Sequence, residues 1–336
     1  MTRRASQALN ARQIPDIRAE LVQWLSDPGP AGGQARWAKG LDPRTAREER
    51  QAAADWATGL RAAELFYVAK DMTRMAVSAG LALPSYQLHP EDLPATHGLL
   101  VWEEYATDSY DGGEYTGCPI IGVSWAQQGG GVHFRTWCLR EDWIAFQAKG
   151  DVKAGLRDLT ADEVRRLRIE CPQQIVCMTS GFLPFGKVPG WLSWAPGDTS
   201  GMTMTELESR TKSEGLHEQA ERALIVTWLL MGQTLAREEE TAPSKSSAKH
   251  LRRMDPDLLA SVRYVQLRHA SMLSNGDRGE GTGRPYQHRW IVRGHWRNHW
   301  YPSRQAHRPI WIDAHVKGPD GAPLLDPDKL VHVLRR

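Results

Sequence analysis

Three arginines, Arg289, Arg293 and Arg297, recur four residues apart near the carboxyl end, and three histidines, His295, His299 and His315, stand among and after them with Asp313. Residues 284–317 hold seven Arg or Lys against that one acid. Guanidinium groups present paired N–H donors to phosphate oxygens, and imidazole takes up and releases a proton near neutral pH. Two chemistries follow from these types. On an extended strand neighbouring arginines of this set stand about 13 Å apart, within reach of phosphates along one backbone. Arg304, Arg308 and Lys317 enlarge the cationic set, and Tyr301 and Trp311 supply rings on which a base can stack, so the first reading is binding of DNA or RNA. The second is metal-independent, toxin-like RNA cleavage. There, two of His295, His299 and His315, on the same side as Asp313, move one proton off a 2′-hydroxyl and another onto the leaving oxygen, while Arg293 or Arg297 stabilises the phosphate charge. A third reading, in a different class, is a protein-interaction module whose basic face meets an acidic partner or the chain's own residues 103–114, which carry five acids and no base.

These side chains need a scaffold that separates them from the core. Residues 286–317 alternate. His288, Trp290, Val292, Trp296 and Trp300 share one parity, and Arg289, Ile291, Arg293, His295, Arg297, His299 and Tyr301 the other. After residues 302–307 a second run sets Arg308, Ile310, Ile312, Ala314 and Val316 against Trp311, Asp313, His315 and Lys317. Side chains on a strand change face at every residue, so the pattern predicts a hairpin with a buried Trp/Ile/Val side and an exposed Arg/His side. No metal is expected. His295 and His299 are four apart, but no Glu follows His295 as in the zinc-protease helix, and Gly294 and Pro302 oppose a helix. The chain has no phosphate-cradling Gly-rich loop with its Lys and no dinucleotide fingerprint, so no cofactor is expected either.

The chain of 336 residues is long enough for about two ordinary domains, and its net charge of +2 means that affinity for a polyanion must come from local clustering. Cys118, Cys138, Cys171 and Cys177 fit neither a zinc ribbon nor a disulfide scaffold and read as reduced thiols. The N-terminal residues lack an apolar signal core, and no run nears the roughly 20 apolar residues of a membrane span. A cytoplasmic chain with no membrane partner is expected.

Taken in order, residues 1–13 read as frayed. Helical spacing then recurs from Pro15 to about residue 26, from about Pro43 through Leu65 and Phe66, and again after Asp71. Residues 98–102, 119–125 and 131–139 read as strands of an antiparallel sheet joined by Gly-rich turns. The acidic link between the first two departs from a calcium loop at Asp108 and Asp111. Thr160 and Glu163 form a capping box for a short helix, and residues 174–178 suggest another strand. A long helix is expected from Met204 to about Glu240, then a Ser-, Pro- and Lys-rich linker or partner-ordered arm, a strand over 261–269, the hairpin, and a last strand near 330–334.

Within the hairpin, Arg293-Gly294-His295-x-Arg297, then Ile310–Ile312, His315 and Gly318, resemble the C-terminal module of a group of uncharacterised proteins of actinobacteria and phages. The resemblance covers about the last 110 residues, and residues 60–125 resemble the actinobacterial members alone. It implies a mobile-element (phage or plasmid) or host-defence setting and transfers no catalytic assignment. The expected architecture is α+β: a helical part over 1–97, an antiparallel β-rich part over 98–200, and over 201–336 a long helix followed by the basic β module.

Overall fold

A computed structural model describes residues 9–107, 110–111, 114–115, 118–148, 157–189, 216–268, 288–302, 305–319 and 322–323. The fold is α+β. Its helices are α1 (Ile14–Ser26), α2 (Gly33–Trp37), α3 (Pro43–Arg61), α4 (Lys70–Leu81), α5 (Arg140–Ala148), α6 (Ala161–Glu170), α7 (Leu216–Met231) and α8 (Lys245–Met254). One seven-stranded sheet is built from β1 (Glu64–Val68), β2 (His97–Trp102), β5 (Ile120–Gln128), β6 (Gly131–Leu139), β7 (Ile175–Pro184), β8 (Ala236–Thr241) and β9 (Val262–Leu267). Its order is β7-β6-β5-β2-β1-β9-β8. Between β2 and β5, β3 (Tyr110–Asp111) and β4 (Glu114–Tyr115) pair as a short separate hairpin.

The expected antiparallel meander is present as β2-β5-β6-β7. The sheet becomes mixed at β1, which runs parallel to both β2 and β9, and α4 makes the crossover from β1 to β2. Here the helical reading through Leu65 and Phe66 is corrected: residues 64–68 are a central strand. Parallel strands covered on both faces read as a continuous apolar run, which short-range periodicity cannot distinguish from a helix end. Strand alternation then sorts the core. Phe66, Val68, Leu100, Trp102, Val123 and Trp125 pack on the α4 and α7 side, and Leu65, Tyr67, Leu99, Val101 and Ile121 on the α1 and α3 side.

The long helix ends at Met231, and residues 236–241 pair as the edge strand β8 rather than continuing it. Its Arg237, Glu238, Glu239 and Glu240 are exposed, charges that blunt a sheet edge against further pairing although their propensity is helical. The segment read as a linker is the docked helix α8, capped by Ser244, whose hydroxyl accepts the Ser247 N–H at 3.1 Å. Residues 1–8 lie outside the described residues, while 9–13 are ordered: the Leu9 carbonyl accepts the Tyr67 hydroxyl at 2.7 Å, and Asn10 and Gln13 form a capping box. The strand expected near 330–334 lies outside the described residues. Thr160 caps α6 as its sequence suggests.

Candidate nucleic-acid interface

The carboxyl-terminal ribbon consists of β10 (Trp290–Val292), β11 (His295–Tyr301), β12 (Ala306–Ile312) and β13 (His315–Lys317). β11 pairs antiparallel with β12, and β10 with β13. The register carries through the break unchanged: Val292 faces His315, two residues are skipped on each side, and His295 faces Ile312. The ribbon is therefore one long hairpin interrupted at Arg293–Gly294 and Asp313–Ala314. At the interruption each flanking histidine turns its Nδ1 onto the carbonyl two residues before it, His295 onto Arg293 at 3.0 Å and His315 onto Asp313 at 2.9 Å. A ring whose Nδ1–H donates to a carbonyl keeps Nε2 as its basic nitrogen.

The ribbon is anchored first by a pair of tryptophans. Trp296 and Trp311 are directly paired, with ring centroids 5.4 Å apart and planes at 67°, and both pack against the core beneath α4 and α7. Trp296 Nε1 donates to the Ala79 carbonyl near the end of α4 at 2.8 Å, and the Trp311 backbone N–H donates to Gln233 Oε1 at 3.0 Å, just past α7. Gly294 makes room for this pair, because a Cβ there would lie 2.4 Å from Trp311 Cζ2.

A second anchor is electrostatic. Arg308 Nη2 lies 2.6 Å from Asp92 Oδ1, with the two side chains 16 % and 1 % exposed. Its N–H is not aimed along the oxygen's hydrogen-bonding direction, so the contact is an ion pair more than a hydrogen bond. Asp92 Oδ2 accepts the Tyr86 hydroxyl at 2.7 Å and the His89 backbone N–H at 2.8 Å. Burial, reinforced by the neighbouring Asp92 carboxylate, pushes the Tyr86 phenol well above its ordinary range.

The register corrects the expected faces. Residues directly opposite in an antiparallel pair share a face. Trp311, expected beside Tyr301 on the Arg/His side, faces Trp296 and is part of the anchor. His295 and His299 share their face with Ile312 and Arg308, whereas His315 faces Val292 beyond the break. The grouping of His295, His299, His315 and Asp313 on one side is thus not what the ladder forms. The parity of the second strand depends on the length of the turn, and a one-residue difference moves every side chain to the other face.

Of the expected phosphate ligands, Arg293, Arg297 and Lys317 are exposed and form no ion pair among the described residues. Arg289 is partly buried, its Nε donating to the Ala322 carbonyl at 2.7 Å. Arg308 is held by Asp92, and Arg304 lies outside the described residues. Near the tip, Trp300 is 45 % exposed and packs against His307 with centroids 5.0 Å apart. The His299 and Tyr301 rings meet edge to face at 4.9 Å. Asp92, Gln233 and the Ala79 carbonyl complete the site from distant parts of the chain, and no local pattern marks them.

The acidic stretch has its own uses. Glu104 pairs with Lys70 and Arg74 at the start of α4, and Glu103 Oε2 accepts the Lys70 backbone N–H at 2.7 Å. Burial raises the Cys171 and Cys177 thiols, Arg135 only partly opposing it at Cys177, and a hydrogen bond with Cys118 together with burial raises Cys138. All three thiols stay protonated at neutral pH, unlike an activated nucleophile. Among the described residues no cluster of three or more His, Cys, Asp or Glu side chains could hold a metal ion, and no helix is long and apolar enough to cross a membrane.

The fold and surface define an α+β protein carrying a docked basic β-ribbon. No family model and no curated protein matches the chain. Among solved structures, the crystal structure of AcrVA2 is similar over 90 % of this chain and 93 % of that one, at 14 % identity and a TM-score of 0.34. That agreement is too distant to carry function across.

Proposed function

We propose that the protein binds nucleic acid through exposed side chains of the β-ribbon, which the register divides between its two faces, Arg297 and Tyr301 on one and Trp300 on the other. Arg293, Arg297 and Lys317 hold backbone phosphates, and Trp300 and Tyr301 offer rings to bases. The observation that carries the reading is a division of labour within one ribbon. Trp296, Trp311 and Arg308 are consumed in docking it to the body, whereas Arg293, Arg297 and Lys317 have no carboxylate partner among the described residues. A two-stranded ribbon is narrow enough to enter a major groove, and the exposed Trp300 ring near its tip suits an unstacked base. Glu103 and Glu104, already engaged by α4, weigh against the reading in which the acidic stretch covers the ribbon. The phage or plasmid setting implied by the Arg-Gly-His-x-Arg resemblance belongs to this same proposal.

The test is the salt dependence of binding to labelled duplex DNA and single-stranded RNA. Each phosphate contact contributes about 0.9 to the slope of log K against log salt on duplex DNA. Arg293→Ala/Arg297→Ala is expected to lower that slope by about 2 and to weaken binding roughly uniformly across sequences. An unchanged slope in a folded variant overturns the assignment. Retention without cleavage in chelator separates binding from the ribonuclease reading.

A further inference from the structure

A second cationic surface lies on α8. Lys245, Lys249, Arg252 and Arg253 are all exposed, and the ten residues of the helix include no acid. At about 100° per residue, their spacing places all four within an arc of about 100°, and the stripe runs about 12 Å along the axis. The opposite side of the helix is fixed to the body. Leu251 is fully buried, the Ser247 hydroxyl donates to Asp16 Oδ2 at 2.6 Å, and Asp255, just past the end, pairs with Arg61.

Several exposed cations elsewhere have a neighbouring acid: Arg44 with Glu48, Arg157 with Glu163, Arg168 with Glu141, Arg237 with Glu239. The four on α8 have no such partner among the described residues, and the carboxylates beneath the helix face the body, although the buried Asp16 Oδ1 has no hydrogen-bond partner. Asp16 accepts Ser247, and Glu20 accepts the backbone N–H and side-chain amide of Gln174 at 3.1 and 3.0 Å.

We infer that α8 is a second polyanion contact, taking the phosphodiester backbone of a nucleic acid on the Lys245/Lys249/Arg252/Arg253 stripe. A rigid row of unpaired cations about 12 Å long spans two to three phosphates of one strand. An anionic membrane is the poorer partner. Interfacial helices insert a broad apolar face, whereas Leu251 is turned into the core and Met254 is the exposed large apolar side chain of this helix. Leu251 packs with the α1 and α3 core, whereas Trp296 and Trp311 pack with the α4 and α7 core across the sheet. The helix and ribbon surfaces therefore lie on opposite faces of the sheet and act separately. The inference shares the nucleic-acid class with the ribbon proposal but rests on different residues.

The experiment measures anisotropy of a labelled short DNA duplex with the full chain between about 50 and 200 mM salt, with phosphatidylserine vesicles as a parallel probe. Lys249→Gln/Arg252→Gln/Arg253→Gln is expected to lower the salt slope by about 2 to 3 and the affinity about tenfold or more, with the thermal midpoint retained because these side chains are exposed. The charge-keeping Lys249→Arg should bind like the parent. If the triple variant is unfolded, the single Arg252→Glu is read instead, with a slope lowered by about 1 expected. An unchanged slope in the folded variant, or binding to vesicles and not to the duplex, overturns the inference. A loss confined to Arg293→Ala/Arg297→Ala supports the ribbon and removes the helix, and a loss confined to the helix variants does the reverse.

Discussion

Asp92→Ala should destabilise the protein by about 3–5 kcal/mol, the cost of removing one member of a buried ion pair and leaving the other uncompensated. The carboxylate is 1 % exposed and serves three groups at once: the Arg308 guanidinium, the Tyr86 hydroxyl and the His89 N–H. Arg308→Met in the parent should cost less, because Asp92 keeps its two hydrogen bonds and the apolar stem of Met replaces that of Arg. The double variant Asp92→Ala/Arg308→Met should recover part of the loss, since no charge is then stranded. Denaturant midpoints for the four proteins form the cycle that isolates the pair. Additive losses in that cycle would mean that the contact does not hold the ribbon.

Trp311→Ala is expected to cost about 3 kcal/mol, the lower end of the range for truncating a core aromatic, because the ring is partly rather than fully buried. The loss combines the edge-to-face partner Trp296 with the cavity left against α7. Gly294→Ala attacks the same contact from the other side, forcing Trp311 off its seat at a cost of about 1–3 kcal/mol. Hydrogen exchange distinguishes the mechanism from general loosening. In both variants the amides of β11 and β12 should exchange faster while those of β2 and β5 keep their protection. Uniform loss of protection across the sheet would remove the idea of a separately docked ribbon.

How far the sequence could be read depended on how local the deciding interactions are. The α6 helix is announced by Thr160 and Glu163, whose reciprocal capping bonds lie three residues apart. The meander β2-β5-β6-β7 follows from short β-branched or aromatic runs separated by Gly-rich turns. β1 and β8 hide from their local sequence for opposite reasons. β1 is apolar after Glu64 because both its faces are covered, and β8 carries four consecutive charges, Arg237 to Glu240, because it closes an edge, so neither shows the alternation that marks a half-buried strand. The basic run of α8 reads as a linker by composition, although Ser244 as cap and cations spaced four, seven and eight residues from Lys245 are a helical signature.

What the sequence by itself determined is the α+β class, the existence of the carboxyl-terminal hairpin and its unusual cationic content, since these follow from alternation and composition along one stretch. Tertiary structure alone decided which of those groups remain available. Asp92 claims Arg308, Gln233 and Ala79 seat the two tryptophans, and the ladder places Trp311 on the core side and sets His315 opposite Val292. A strand's own pattern identifies its two faces, but which face meets the body depends on turn parity and on partners distant in the chain.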